Sequence, residues 1–298
     1  MDYLIKRDDL RDCHWADAPV TGLADGMARL RVDAFALTAN NVTYATFGEA
    51  MKYWDFFPAS SPEFGRVPVW GFATIIESKA AGVDVGSRVY GYLPISDTVD
   101  VQPVRVGKES FMDGVPHRRD LAPKTAMALA HCLKARGVVE AVALTSPGNV
   151  AYVESTGLYA RTQTYDQVDR MHARGLTAFV DFLGRPSLTA DVHNALKDRL
   201  VRSLVIGVTD WEGNRAPISL PDPQPEFFFV PTYAAERAKV LGADVLNKRL
   251  GTSLMSFYRA SSAFVTPQEE SGMDSIDTAW HDTLEGKVSP ATGLVLSF

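Results

Sequence analysis

The sequence predicts an α/β protein in two parts, a β-rich portion followed by one in which strands alternate with helices. Short β-branched runs broken by Gly and Pro fill about the first 120 residues, the texture of a small β-barrel or sandwich. After Pro123, apolar runs and helical periodicities take turns, as in a parallel sheet covered on both faces. The chain has 298 residues, 46% hydrophobic and 22% charged, enough for roughly two domains with real cores.

In the first part, Ala28 to Leu37 begins with the alternation of a half-buried strand. From Val67 to Val106 the runs VPVWGFATIIES, GVDVGSRVYGYLPIS and TVDVQPVRV follow, with Gly82, Gly86 and Gly91 at turn-like intervals. In the second part, Lys124 to Arg136 puts Ala126, Leu129, Ala130 and Leu133 on one helix face, with Pro123 before it and Gly137 after it. Val138 to Thr145 reads as a strand, and Ser146-Pro147 as an N-cap with proline at the first helical position. Thr177 to Leu183, Leu204 to Val208 and Phe227 to Val230 read as strands. Ser187 to Leu200 and about Tyr233 to Ser262 read as helices, and TGLVLSF as a final apolar strand.

Charge and cysteine content narrow the function. A net charge of -6 and a pI near 5.5 argue against nucleic acid as a partner, since binding it needs a clustered basic face. Cys13 and Cys132 are the sole cysteines, too few for a disulfide framework or a thiolate cage, which suits a reducing cytoplasmic setting. The start, MDYLIKRDDLRD, lacks the apolar run of a signal peptide, and no stretch approaches the ~20 apolar residues of a membrane span. A cytoplasmic chain without a membrane partner is expected.

Several segments carry a resemblance. ARLRVDAFALTANNVTYATFG, then VPVWGFATIIES with GVDVGSRVYGYL, and the closing LEGKVSPATGLVLSF stand in the order and spacing of the medium-chain dehydrogenase/reductase superfamily. Within it the chain is most similar to zinc-free, quinone-oxidoreductase-like proteins, in a branch carrying ALTANNVTYA, YWDFFP, SPGNVAYVES and PEFFFVP together. The resemblance implies a barrel-like (GroES-like) catalytic domain of residues 1–123 with 263–298, and a Rossmann-like cofactor domain of residues 124–262. It further implies NADPH, a small-molecule substrate and, as one arrangement, a homodimer. The reaction would be reduction of a carbonyl, quinone or activated alkene. The rival is a non-catalytic binding or accessory protein that kept the fold and lost the cofactor.

Two departures qualify this. Zinc-dependent members place Cys and His where this chain has Thr38 and Phe72, neither of them a zinc ligand, so metal-free chemistry is expected. A dinucleotide domain also opens with strand, glycine-rich turn and helix. Here the helix at Lys124 follows RRDLAP, with no apolar strand and no G-x-G-x-x-G nearby. Either the first strand of the Rossmann-like domain is lost, or residues are missing between Pro123 and Lys124.

The candidate site residues follow from the resemblance. Tyr44 lies in the substrate-facing loop and suits a proton donor, while Thr38 and Asn41 suit polarisation of a carbonyl. A buried, packed tyrosine is an equally good reading of Tyr44. Tyr53 and Trp54 read as an aromatic wall, or as core or a subunit contact. Thr145, Ser146 and Asn149 form a polar loop with no acid from Val142 to Val153, which suits the 2′-phosphate of NADPH; Ser146 equally reads as a plain N-cap. Asp181 stands at a strand end near a cofactor ribose, or caps the next turn. Gly207 and Thr209 suit backbone approach to a nicotinamide. There is no G-x-S-x-G elbow and no Y-x-x-x-K, so hydrolase and short-chain reductase signatures are missing.

Overall fold

A computed structural model describes residues 1–18, 22–107, 110–115, 126–171, 175–207, 219–228 and 230–298. The chain divides into two compact units, Met1–Leu121 with Pro267–Phe298, and Ala122–Thr266.

Unit 1 opens with β1 (Asp2–Lys6), β2 (Cys13–Ala16) and β3 (Ala28–Leu37), and α1 (Ala39–Thr46) follows β3 directly. After a 3-10 turn at Tyr53–Asp55 come β4 (Phe64–Gly65), β5 (Pro68–Ser78), β6 (Arg88–Pro94), β7 (Thr98–Val101), β8 (Pro103–Val104) and β9 (Met112–Asp113). Unit 2 holds α2 (Ala126–Arg136), β10 (Val142–Thr145), α3 (Val150–Ser155), β11 (Arg161–Thr164) and β12 (Thr177–Asp181). It continues with α4 (Pro186–Leu196), β13 (Leu200–Val205), β14 (Glu226–Phe227), α5 (Val230–Leu241) and α6 (Ala243–Ser261). The chain then returns to unit 1 as β15 (Thr266–Ser271), α7 (Met273–Leu284) and β16 (Thr292–Ser297).

The main sheet of unit 1 runs β15-β16-β3-β5-β6, with β7 also pairing β3. Strand β3 matches its expected span because Leu30, Val32, Phe35 and Leu37 bury one face, with the phase adjusted by a register shift between Val32 and Ala34. The final strand β16 lies antiparallel to β3, Leu294 opposite Leu37. A barrel was expected, but this sheet stays open: among the described residues β6 and β15 are unjoined edges. β15 (TPQEES) is largely exposed and polar, a composition suited to an open edge. A second sheet, β2-β1-β4, packs its own side chains with α7, which the sequence did not reveal: Trp280 Nε1 donates to Leu10 O at 2.9 Å and Tyr3 Oη to Asp277 Oδ1 at 2.7 Å.

The parallel sheet of unit 2 comes in two pieces. β10 pairs β11, and β12-β13-β14 form a separate group, all parallel. Among the described residues no strand joins β10 to β12. The Pro123–Lys124 bond lies outside the described residues. One apolar cluster (Val168, Leu188, Val192, Leu196 and Leu200) takes in Leu144 of β10 and Phe179 of β12. Helix α2 forms where its periodicity expects it, yet Leu129 of its apolar face is exposed. A strand beside β10 is what would cover such a face.

Boundaries elsewhere shift for local reasons. β10 starts at Val142, since Val138, 75% exposed, and Val139 have no sheet to enter. Helix α4 ends at Leu196, and Leu200 opens β13 rather than closing the helix. β13 therefore precedes its expected start at Leu204. Val230 belongs to α5, not to a strand. The long helix expected to Ser262 is two helices, because Gly242 sits at φ 83, outside helical geometry.

Candidate functional site

In unit 1, Thr38 ends the strand and starts α1. Its backbone N–H donates to Asn41 Oδ1 at 2.8 Å and its hydroxyl to the same oxygen at 3.2 Å. Asn41 Nδ2 donates to Pro68 O at 2.8 Å, so this buried amide fastens the helix start to β5. Thr38 itself is exposed. These bonds occupy the Asn41 side chain with positioning α1.

Tyr44, one turn further along, is 3% exposed. Its ring centroid lies 4.7 Å from Tyr53 and 5.8 Å from Tyr92. Trp70 stands opposite Tyr92 across β5 and β6, rings 5.2 Å apart. The pair Phe72 and Tyr90 continues the same face outward, rings 5.0 Å apart. Phe72, 44% exposed, has the Arg88 guanidinium 4.8 Å from its ring centroid. Burial pushes the Tyr44 phenol up from its ordinary range, while donors on Trp70, Asn40 and Tyr92 oppose that rise. Burial likewise raises Tyr53 and Tyr92.

The neighbouring aromatics anchor this group. Trp54 is core, its ring held between Gly48 and Gly65, while Tyr53 next to it stacks on Tyr44. Trp70 and Tyr92 do not stand out in the sequence alone. What signal there is lies in alternation: residues two apart on adjacent antiparallel strands share a face.

In unit 2, β10 ends at the buried Thr145, and Ser146 opens the turn Pro147–Asn149 that leads into α3. The half-buried Ser146 makes no capping bond with its side chain, and a Cβ at Gly148 would meet open space. Asn149 N–H donates to Ser146 O at 3.0 Å. This leaves a neutral, polar, accessible turn.

Asp181 ends β12 at 4% exposure. Its Oδ1 accepts from the N–H groups of Leu183 (2.8 Å) and Gly184 (2.9 Å), and its Oδ2 from the Thr189 hydroxyl at 3.2 Å. Its carbonyl accepts from Ile206 N at 2.7 Å and Gly207 N at 3.4 Å. One residue thus fixes the turn into α4 and the exit of β13. Burial holds its carboxyl above the usual carboxylate range, against these three side-chain bonds. Gly207 is buried at that exit, and Thr209 lies outside the described residues. His193 is buried between Ser203 Oγ (2.9 Å) and Pro221 O (3.0 Å) and serves packing.

Among the described residues no cluster of three or more His, Cys, Asp or Glu is arranged to hold a metal ion, and no helix is long and apolar enough to cross a membrane. A groove of about 410 Å³ in unit 2 carries Asp166, Asp169 and Asp191, which would repel phosphate.

The described geometry is that of a mixed α/β chain in two units, and solved structures of that design match it over nearly its full length. CurA from Vibrio vulnificus matches with a TM-score of 0.60 at 11% identity, over 98% of this chain and 95% of that one. The complex of that CurA with NADPH matches at 0.57 and 12%, over 96% and 94%. The CurK enoyl reductase matches at 0.53 and 14%, over 99% of each chain. No curated protein matches. The chain belongs to the family described as "Protein of unknown function (DUF2855)", whose model matches residues 35–123 and 122–289. Those two matched segments meet at residues 122–123.

Proposed function

We propose that this protein is an NADPH-dependent, metal-free reductase of a carbonyl, quinone or activated alkene. The observation that carries the reading is Tyr44, a buried phenol packed among Tyr53 and Tyr92 with donor groups of Trp70, Asn40 and Tyr92 close by, on a fold similar to an NADPH complex and to an enoyl reductase. NADPH, when bound, supplies the hydride; the residues of this chain orient, polarise and protonate. Tyr44 donates the proton that the substrate needs after hydride arrival. Thr38 is exposed and would polarise a carbonyl by turning its hydroxyl proton away from Asn41 Oδ1, and Asn41 keeps α1, and so Tyr44, in place.

The turn after β10 fits the ribose-phosphate end of the cofactor. Ser146 and Asn149, beside Thr145, present neutral donors where an acid would repel a 2′-phosphate. Asp181 shapes the turn at the end of β12 and holds the backbone of Gly207. The pyrophosphate end finds less support, because the strand and glycine-rich turn that would meet it have no counterpart among the described residues. That observation favours a second reading, an accessory protein that kept the fold without cofactor turnover.

The test is NADPH consumption by the purified chain against quinones, enones and simple carbonyls. The reductase reading expects turnover that drops at least tenfold in Tyr44→Phe. No turnover with any class supports the accessory reading.

A further inference from the structure

We propose that Trp70 and Tyr92 are positioning residues that act through Tyr44, held so that the indole Nε1–H and the Tyr92 hydroxyl receive the phenolate left when Tyr44 gives up its proton. This rests on the reading of Tyr44 as proton donor. Both polar atoms are buried, and neither Trp70 Nε1 nor Tyr92 Oη makes a well-formed hydrogen bond in the resting fold, although both stand close enough to the Tyr44 oxygen to favour its phenolate. An indole N–H can only donate, and a buried donor without an acceptor costs stability. Two such atoms on paired strands, Tyr92 packed against the Tyr44 ring and Trp70 against Tyr92, both close enough to act on the one phenol, point to an acceptor that is strong only during the reaction.

A neutral phenol oxygen is a modest acceptor, whereas a phenolate draws charge-assisted bonds roughly twice as strong. Interactions that strengthen only as charge develops raise the rate rather than ground-state binding. In the step itself, the Tyr44 O–H bond would break and its proton pass to the anion left by hydride addition, an alkoxide, a hydroquinone anion or an enolate according to the substrate. The bonding pair stays on the Tyr44 oxygen, which later takes a proton from solvent. Asn40 completes the ring of donors around that oxygen.

Among the described residues, no charged group acts on the Tyr44 phenol instead. Helix α1 carries no acidic residue in its first turn and no basic residue in its last. Asp55 in the 3-10 turn is exposed, Glu77 of β5 pairs with Arg29, and Arg88 of β6 pairs with Asp33. On α7, Asp277 is engaged by Tyr3 and His281. The titratable neighbours of Tyr44 are Tyr53 and Tyr92, both kept neutral by burial.

The experiment uses the full chain labelled with 3-fluorotyrosine and followed by fluorine NMR through a pH titration. The Tyr44 signal is assigned by its loss in Tyr44→Phe. In Trp70→Phe and in Tyr92→Phe, Tyr44 is expected to ionise at higher pH than in the parent, because each variant deletes a donor to the phenolate. A midpoint unchanged in both variants overturns the proposal whether or not the chain is an enzyme. Where NADPH turnover is present, each variant is expected to lose roughly 10–100-fold in kcat with little change in KM. In the Tyr44→Phe background neither change costs anything further. Equal losses with and without Tyr44 would mean a merely structural role and overturn the proposal. A moved midpoint without turnover leaves the donor arrangement standing and removes the reductase reading.

Discussion

Replacing Gly65 by alanine sets a methyl group against the wall that supports Tyr53 and Tyr44. The added Cβ would lie 2.2 Å from Cε3, 2.6 Å from Cδ2 and 2.7 Å from Cζ3 of Trp54. The ring cannot retreat, since a Cβ on Gly48 would meet its Nε1 at 1.9 Å and the side chain is wholly buried. The backbone is also held, Gly65 pairing with Ile5 of β1. Overpacking of this kind costs about 1–3 kcal/mol, with the larger values where neither side yields. Urea unfolding followed by tryptophan fluorescence should show a midpoint lowered accordingly. Shrinking the ring should relieve part of the clash, so Gly65→Ala in a Trp54→Phe background should cost about 1 kcal/mol less than alone. An unchanged midpoint for Gly65→Ala, or full additivity with Trp54→Phe, would refute the packing argument.

Asp181→Ala leaves two backbone N–H groups and the Thr189 hydroxyl without their acceptor and should destabilise unit 2 by roughly 2–4 kcal/mol, read from urea midpoints. Because the folded pKa of Asp181 is raised by burial, its ionisation opposes folding: its contribution is most favourable at low pH and declines as pH rises from about 4 through the folded value. Stability relative to Asp181→Asn should follow that slope, and a difference that grows with pH would contradict it. Ser146→Asp should weaken NADPH binding and narrow or reverse the preference over NADH, by on the order of 1–3 kcal/mol; calorimetry showing an unchanged ratio removes the assignment of that turn. Turnover should survive a chelator, given Thr38 and Phe72 at the positions where the sequence resemblance places zinc ligands, and activity restored specifically by zinc would overturn this. Sequencing the natural transcript across the Pro123–Lys124 codons separates the two alternatives: additional codons there mean omitted residues, and an uninterrupted reading frame means a shortened chain.

How much was legible in the sequence depended on whether a segment buries its own face. Strand β3 and helix α2 were readable because alternation in one, and helical spacing with Gly137 in the other, are local signals. Helix α7 was missed although Ile276, Ala279, Trp280 and Leu284 are buried, since its partners, Leu10 and Tyr3, lie about 270 residues away in sequence. The open sheet was equally hidden, because closure depends on which edges meet and not on strand composition. At the site, Tyr44 was named from its segment, and Asp181 was read either as a cofactor residue or as a turn cap; its bonds to Leu183, Gly184 and Thr189 supply the cap. Trp70 and Tyr92 needed the β5–β6 register before they could be set beside Tyr44.

The central claim is that this fold carries a working NADPH site despite the divided sheet of unit 2. Calorimetric titration of the purified chain with NADPH tests it most directly. Saturable one-to-one binding in about the micromolar range, weakened by Ser146→Asp, is the expected result. Absence of heat and of any change in thermal midpoint at millimolar NADPH would contradict it and leave the accessory protein as the account of this fold.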